Sequence, residues 1–413
     1  MSNLYERDLT FASDEMLYQA VEMYGTPLLV YSEETLRSRV EKVKAAFSCC
    51  GAFQEFFPVK ACPNLEILRI LVESGCGLVC GSHVELHLAQ MAGAGNENIL
   101  YLSAFPDERD YAAVQCVKPR LVLDSPAHLS SYMETDCLTE PLGLRFNPGA
   151  RFCVPGHLPF RIASRFGMLK DELLETAEKA AKLGVRTFGL HLHLGSNIDF
   201  TGYLAAKAEE MFRLIPELER RTKGTVTYCD IGGGISLHNR QGMELNLAEE
   251  ANLVREKLLV SDIGHKIAIH TQIGKYLAAP AGILLTKVRG LKEADRTYVG
   301  LDISMADVPR MVFCGAQHHV SKLGDASIHN RKSYYLVGKT TDYADHFGDR
   351  RILPTLKAGD VLVFHNTGAY TRSVAFNYGG NLRCAEVLLS NNRLHLIGQR
   401  ETEQALFQPF VKL

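Results

Sequence analysis

Between about residue 27 and residue 290 the chain alternates short apolar runs with amphipathic segments at a pitch of roughly 25 to 40 residues, as repeated strand–helix units do. Candidate strands are LLVY (28–31), EFFPVK (55–60), GLVC (77–80), ILYL (99–102), RLVLD (120–124), LGLRF (142–146), FGLHLHL (188–194), VTYCDIG (226–232) and KIAIHT (266–271). Between them, ETLRSRVEKVKAAF, VELHLAQMAGAG and LLETAEKAAKLG each place apolar residues on one helical face, and the last two stop at glycine. About eight such units fit a closed α/β barrel, with an open doubly wound sheet as the alternative. Past residue 280 the texture changes to strand-like pieces separated by turns: GILLTKVRGL, RTYVGLDI, SYYLVGK, DVLVFHNTGAY, RCAEVLL and RLHLIG. The expected division is a (β/α)8 TIM barrel over residues 31–275 and a mostly β domain over 276–413, with residues 1–30 as a segment that can join it.

Composition narrows the function classes. At 413 residues and 46% hydrophobic, the chain can bury a large core. A formal charge of -2 with a pI near 6.7 gives neither a nucleic-acid surface nor a polybasic membrane patch. The start MSNLYERDLTFASDEM is polar and acidic, and no later apolar run reaches about 18 residues, so a cytoplasmic protein is expected. The 11 cysteines form no C-x-x-C pair, which argues for free thiols and against a metal site.

Three motifs carry candidate chemistry. In FQEFFPVKACPNLEILRIL (53–71), Lys60 follows an apolar run at a strand-to-helix junction, where a partly desolvated amine could act as a nucleophile or simply snorkel past the strand end. GLHLHLGSNI ends a strand with His191, His193 and Ser196; alternation puts both histidines on one side, either as a platform for a flat ligand or as hydrogen-bonded core. CDIGGGISL places Gly232, Gly233 and Gly234 after another strand, where amides freed of Cβ atoms can converge on an anion or merely form a tight turn. An amine, a ring platform and an anion cradle together are what pyridoxal 5'-phosphate needs.

FPVKACPN, TPLLVY, LRFNPG, SRFG, HLHLGS, DIGGG, LDISMADVPR, GAYTRSVAFNYGG and AEVLL, spread over nearly the whole chain, resemble the fold type III pyridoxal-phosphate decarboxylases, the group of diaminopimelate and ornithine decarboxylases. The resemblance implies an alanine-racemase-like barrel with a β domain, and a homodimer whose partners complete each other's sites. It also implies that Lys60 carries the cofactor, that His193 stacks on its ring, and that Ser196, Gly232, Gly233, Gly234 and Tyr370 or Tyr378 hold its phosphate. Arg310 would bind a substrate carboxylate.

Several positions depart from the family pattern. The family's E-P-G-R stands here as Gln272-Ile273-Gly274-Lys275, so a neutral amide replaces the glutamate that faces the pyridine nitrogen, and lysine replaces a planar arginine fork. The partner-chain motif C-E-S-x-D stands as Thr341-Asp342-Tyr343-Ala344-Asp345, which puts a weaker acid, Thr341, in the place of the protonating cysteine. Cys314 replaces a tyrosine and Val79 an aspartate, both near the substrate. The expected activity is decarboxylation of a diamino acid or related carboxylated amine in an altered pocket, with Asp342 pairing a distal ammonium. A racemase or epimerase using Tyr343, and a catalytically degenerate homologue, are the alternatives.

Overall fold

The computed structural model describes residues 11–134, 137–154, 164–239, 242–325, 329–348 and 350–410. The first strand, β1 (Leu28–Ser32), stands outside the barrel. Eight parallel strands close the barrel: β2 (Phe53–Pro58), β3 (Gly77–Cys80), β4 (Ile99–Tyr101), β5 (Arg120–Leu123), β6 (Leu142–Arg145), β7 (Thr187–His191), β8 (Thr225–Asp230) and β9 (Ala268–Thr271), with β9 returning to pair with β2. Wholly buried runs such as GLVC and LGLR suit strands covered on both faces. Phe56, Val79, Leu100 and Val122 from four successive strands form one apolar cluster. Tyr228 stacks on His270 with ring centroids 4.6 Å apart, and Gly189 makes room for it, since a Cβ there would lie 2.0 Å from the tyrosine ring.

Hydropathy overruns three of these strands by two residues or more. β2 stops at Pro58 and passes into a 3-10 turn, Val59–Ala61, while β7 stops at His191 and β8 at Asp230. Lys60, His193 and Gly232 therefore stand in the loops at the carboxyl ends of the strands. Residues such as Val59, Leu192 and Ile231 stay buried past the strand ends, so an apolar run marks burial rather than strand length.

The remaining strands are β10 (Gly282–Glu293), β11 (Thr297–Leu301), β12 (Val320–Lys322), β13 (Arg331–Val337), β14 (Arg351–Pro354), β15 (Val361–Phe364), β16 (Ala385–Ser390) and β17 (Arg393–Gly398). They join β1 in one sheet of order β14-β13-β11-β10-β1-β16-β17, with β15 paired to β10 and β12. β12 and β14 escape the sequence reading because strands of three and four residues show too little periodicity. β1 is antiparallel to β10 and parallel to β16. Alternate residues Leu28 and Val30, Ile283 and Leu285, Val361 and Val363, and Ala385 and Val387 pack on Leu17 and Ala20 of the helix Asp14–Tyr24.

The chain thus divides into two compact units: Ser38–Tyr276 carries the barrel, and the segments up to Arg37 and from Leu277 onward carry the sheet. Residues 1–10 of the segment expected to join the β domain lie outside the described residues. Among the described residues, no helix is long and apolar enough to cross a membrane.

Candidate active site

The turn bearing Lys60 is fixed from both sides. Asn64 caps the helix Leu65–Glu73 by accepting from Glu66 N at 3.0 Å and Ile67 N at 3.4 Å. Gly274, after β9, abuts the turn so closely that a Cβ would lie 2.6 Å from Pro58 Cγ. Glu55 ties β2 to the same loop, accepting from Ile273 N at 2.8 Å and from Thr271 Oγ1, and burial pushes its carboxyl pKa well above the usual range. Within the 3-10 turn Val59 and Ala61 are buried, whereas Lys60 is turned outward and exposed. The expected desolvation of Lys60 is therefore corrected: no hydrogen bond or ion pair holds its ammonium among the described residues, and its amine stands open at the strand end.

The glycine loop is more committed than its sequence implies. Gly232 N donates to Asp230 Oδ1 at 2.8 Å, and Gly233 N donates to His193 Nδ1 at 3.2 Å. Two of the three amides are thus spent inside the protein, while that of Gly234 has no partner among the described residues. Because His193 Nδ1 accepts, the ring carries its proton on Nε2. Burial first, then Lys207, Arg145 and Lys60, drive the His193 pKa well below the imidazole range, so a fixed neutral ring results. His191 is the core histidine, fully buried with neither ring nitrogen hydrogen-bonded among the described residues.

Gly233 is demanded by packing, since a Cβ would lie 2.0 Å from the Gln272 carbonyl oxygen. Gly233→Ala is expected to cost about 3 kcal/mol or more in stability, as backbone on both sides must shift. Denaturant unfolding of the variant checks this, and a midpoint equal to that of the wild type contradicts the packing.

Gln272 Nε2 donates to Asp230 Oδ2 at 2.6 Å. An ionised carboxylate only accepts, so the amide nitrogen must face Asp230 and its Oε1 is left as an acceptor. Burial raises the Asp230 pKa to about 6, opposed by the Gly232 amide, Gln272, Lys207 and Arg145. Across the loops, Lys275 Nζ donates to Asn197 Oδ1 at 2.7 Å, beside the exposed Ser196.

Glu55, Asp230 and the buried pair Arg145–Asp124, 2.7 Å apart at the ends of β6 and β5, did not emerge as candidates from sequence. The available signal was a charge inside or ending an apolar run. His83, Asp107 and Asp110 also cluster, but Asp107 and Asp110 form the capping box of the helix Glu108–Val117.

The sheet unit holds the other candidates. Arg310, in the short helix Pro309–Phe313, places its guanidinium 4.9 Å from the Tyr370 ring centre, and Cys314 follows it, exposed. Asp342 accepts from Ala344 N at 2.8 Å and from Tyr378 OH at 2.7 Å, and these bonds, the Ala344 amide first, lower its pKa. Tyr378 thus belongs with Asp342, and Tyr370 with Arg310. The loop is anchored by buried Asp345, which accepts from Met305 N at 2.7 Å and Thr340 N at 2.8 Å. Thr341 and Tyr343 are exposed, Tyr343 completely. Val79 belongs to the apolar barrel cluster described above.

The donor set in the barrel, an open amine, a fixed neutral ring, an unspent amide, a hydroxyl and an ammonium, fits a flat aldehyde bearing a phosphate. Comparison with known proteins agrees. The family described as pyridoxal-dependent decarboxylase, pyridoxal binding domain, matches residues 33–279. Diaminopimelate decarboxylase of Methanothermobacter thermautotrophicus is 30% identical over 399 residues, spanning 93% of this chain and 92% of the relative. That of Deinococcus radiodurans is 30% identical over 401 residues, spanning 96% and 98%. The crystal structure of diaminopimelate decarboxylase from M. jannaschii superposes with a TM-score of 0.88 at 24% identity, covering 96% of this chain and 94% of that one, and shares the fold. The chain belongs to the pyridoxal-dependent decarboxylases and is a carboxy-lyase that uses pyridoxal 5'-phosphate.

Proposed function

We propose that the substrate is a diamino acid or a related carboxylated amine, and that the enzyme works as a homodimer. The observation that carries the substrate reading is that the sheet unit presents both a cationic site, Arg310 on Tyr370, and an acidic one, Asp342 held ionised by Ala344 and Tyr378. A guanidinium suits a carboxylate and a carboxylate suits a distal ammonium. The relatives named diaminopimelate decarboxylase support the same class. The fully exposed Tyr343, beside exposed Thr341, supports a loop that finds its partner on a second copy of the chain.

In this reading the bound cofactor supplies a ring that takes up the electron pair left when the Cα–carboxylate bond breaks. Carbon dioxide leaves, and one proton must reach Cα to balance the reaction. Lys60 would hold the cofactor through its Nζ and supply the amine that a substrate amine replaces. His193 Nδ1 is tied to Gly233, which holds the imidazole as a platform for the ring. Ser196, the Gly234 amide and Lys275 would hold the phosphate. Asp230 fixes the Gln272 amide so that its Oε1 is left as an acceptor, which would favour a protonated ring nitrogen. Thr341 of a second chain would supply the proton to Cα.

Meso-diaminopimelate, lysine, ornithine and arginine offered to the purified protein, with carbon dioxide release and optical rotation followed together, test the substrate. Carbon dioxide release from a diamino acid is expected. Loss of rotation without gas would favour a racemase, and neither change with any of the four removes this substrate class.

The Asp230–Gln272 contact makes a further prediction. Gln272→Glu sets a second carboxylate against a buried one, so the pair retains a proton in the folded state at a raised pKa. The folded form then binds more protons than the unfolded one, and stability falls as pH rises through about 6. Relative to wild type, a loss of about 1–3 kcal/mol is expected near pH 8 and less near pH 5. Thermal unfolding at both values measures it, and a pH-independent difference contradicts the contact.

A further inference from the structure

Lys207 lies in the first turns of the helix Tyr203–Thr222 and is completely buried. Its Nζ donates to the Gly233 carbonyl oxygen at 2.7 Å and lies 4.5 Å from the Tyr203 ring centre. No carboxylate comes within ion-pair distance among the described residues. Glu250 is occupied with the start of the helix, accepting from Gly202 N at 2.6 Å and Leu204 N at 3.2 Å, and Asp230 with Gly232 and Gln272. Burial draws the Lys207 pKa down to about 7, while Asp230 and Glu250 oppose the fall. Facing it are also His191 and His193, both kept neutral, and Arg145 contributes a second positive charge to the same surroundings. Burying an amine there costs free energy that methionine, of similar length, would not.

We propose that Lys207 is a positioning residue for the cofactor phosphate, acting from beneath the glycine loop. The peptide between Gly233 and Gly234 is trans, so its C=O and N–H point in opposite directions. Holding the Gly233 carbonyl on Lys207 therefore turns the Gly234 N–H away from the core. That amide is the member of the triplet left without a partner, and Gly234 abuts the Ser196 loop, where its Cβ would lie 2.9 Å from Gly195 O. An ammonium on the carbonyl also polarises the peptide and strengthens the opposite N–H as a donor. A phosphate dianion at the loop would in turn favour the charged lysine. The inference rests on the reading of this loop, Ser196 and Lys275 as the phosphate cradle.

The test is equilibrium dialysis of the full-length protein with pyridoxal 5'-phosphate and, separately, with pyridoxal, which lacks the phosphate. Lys207→Met is expected to weaken binding of the phosphate ester roughly ten- to hundredfold, the range of a charged hydrogen bond, and to leave pyridoxal binding unchanged. The 31P resonance of the bound ester should move as well. If Lys207→Met does not fold, Lys207→Gln keeps a donor to Gly233 without the charge and should show a smaller loss with the same selectivity. Unchanged affinity for the ester, or an equal loss for both ligands, overturns the proposal. Ser196→Ala combined with Lys275→Met separates it from its premise: if that variant binds the ester as wild type does, the cradle itself is wrong, whereas a loss there with none in Lys207→Met removes only the role of Lys207.

Discussion

Lys60→Ala is expected to lower decarboxylation by at least about a thousandfold, or about 4 kcal/mol in the barrier, and to abolish the cofactor label that borohydride should fix in the wild type. The size of the effect follows from the absence of a substitute. Lys60 presents an exposed amine with no partner among the described residues, on a turn pinned by Gly274 and Glu55, whereas Lys207 is buried on a carbonyl and Lys275 is bound to Asn197. An amine elsewhere would have to reach the same point without that turn. Peptide mapping of the reduced wild-type protein should place the label on Lys60 alone. Recovery on another lysine, or a Lys60→Ala enzyme of near-normal rate, defeats the assignment.

Mixing Lys60→Ala chains with Asp342→Ala chains, each inactive alone, restores up to roughly a quarter of wild-type activity if dimers share their sites across a two-fold axis. Random exchange makes half of the dimers mixed, and each mixed dimer holds one site with both an intact lysine and an intact loop. The loop that carries Asp342 would have to reach a second copy of the chain. Asp345 anchors its base and Tyr378 orients Asp342, yet Tyr343 at its tip is fully exposed. Absence of rescue after demonstrated subunit exchange would place Asp342 in the site of its own chain or outside any site.

The rhythm of apolar runs was enough to determine repeated strand–helix units and a later β domain, because strand and helix periodicity are local properties of the chain, whereas closure of the barrel rests on the pairing of β9 with β2. The same holds for Lys60, His193 and Gly232–Gly234 as candidates, since each follows an apolar run that ends at the barrel mouth. Which hydrogen-bonding groups remain free is a different kind of fact. Gly233 N–H goes to His193, 40 positions away, and Gln272 is oriented by Asp230, 42 positions away. Local pattern also cannot say that β1 leaves the barrel rhythm to pair with β10 and β16, more than two hundred residues on. Lys60 turned outward and Lys207 turned inward reverse what their sequence surroundings suggest, an apolar run for the first and an ordinary amphipathic helix for the second. Side-chain exposure is set by what packs on a turn or helix from elsewhere in the chain, and that the tertiary structure alone decides.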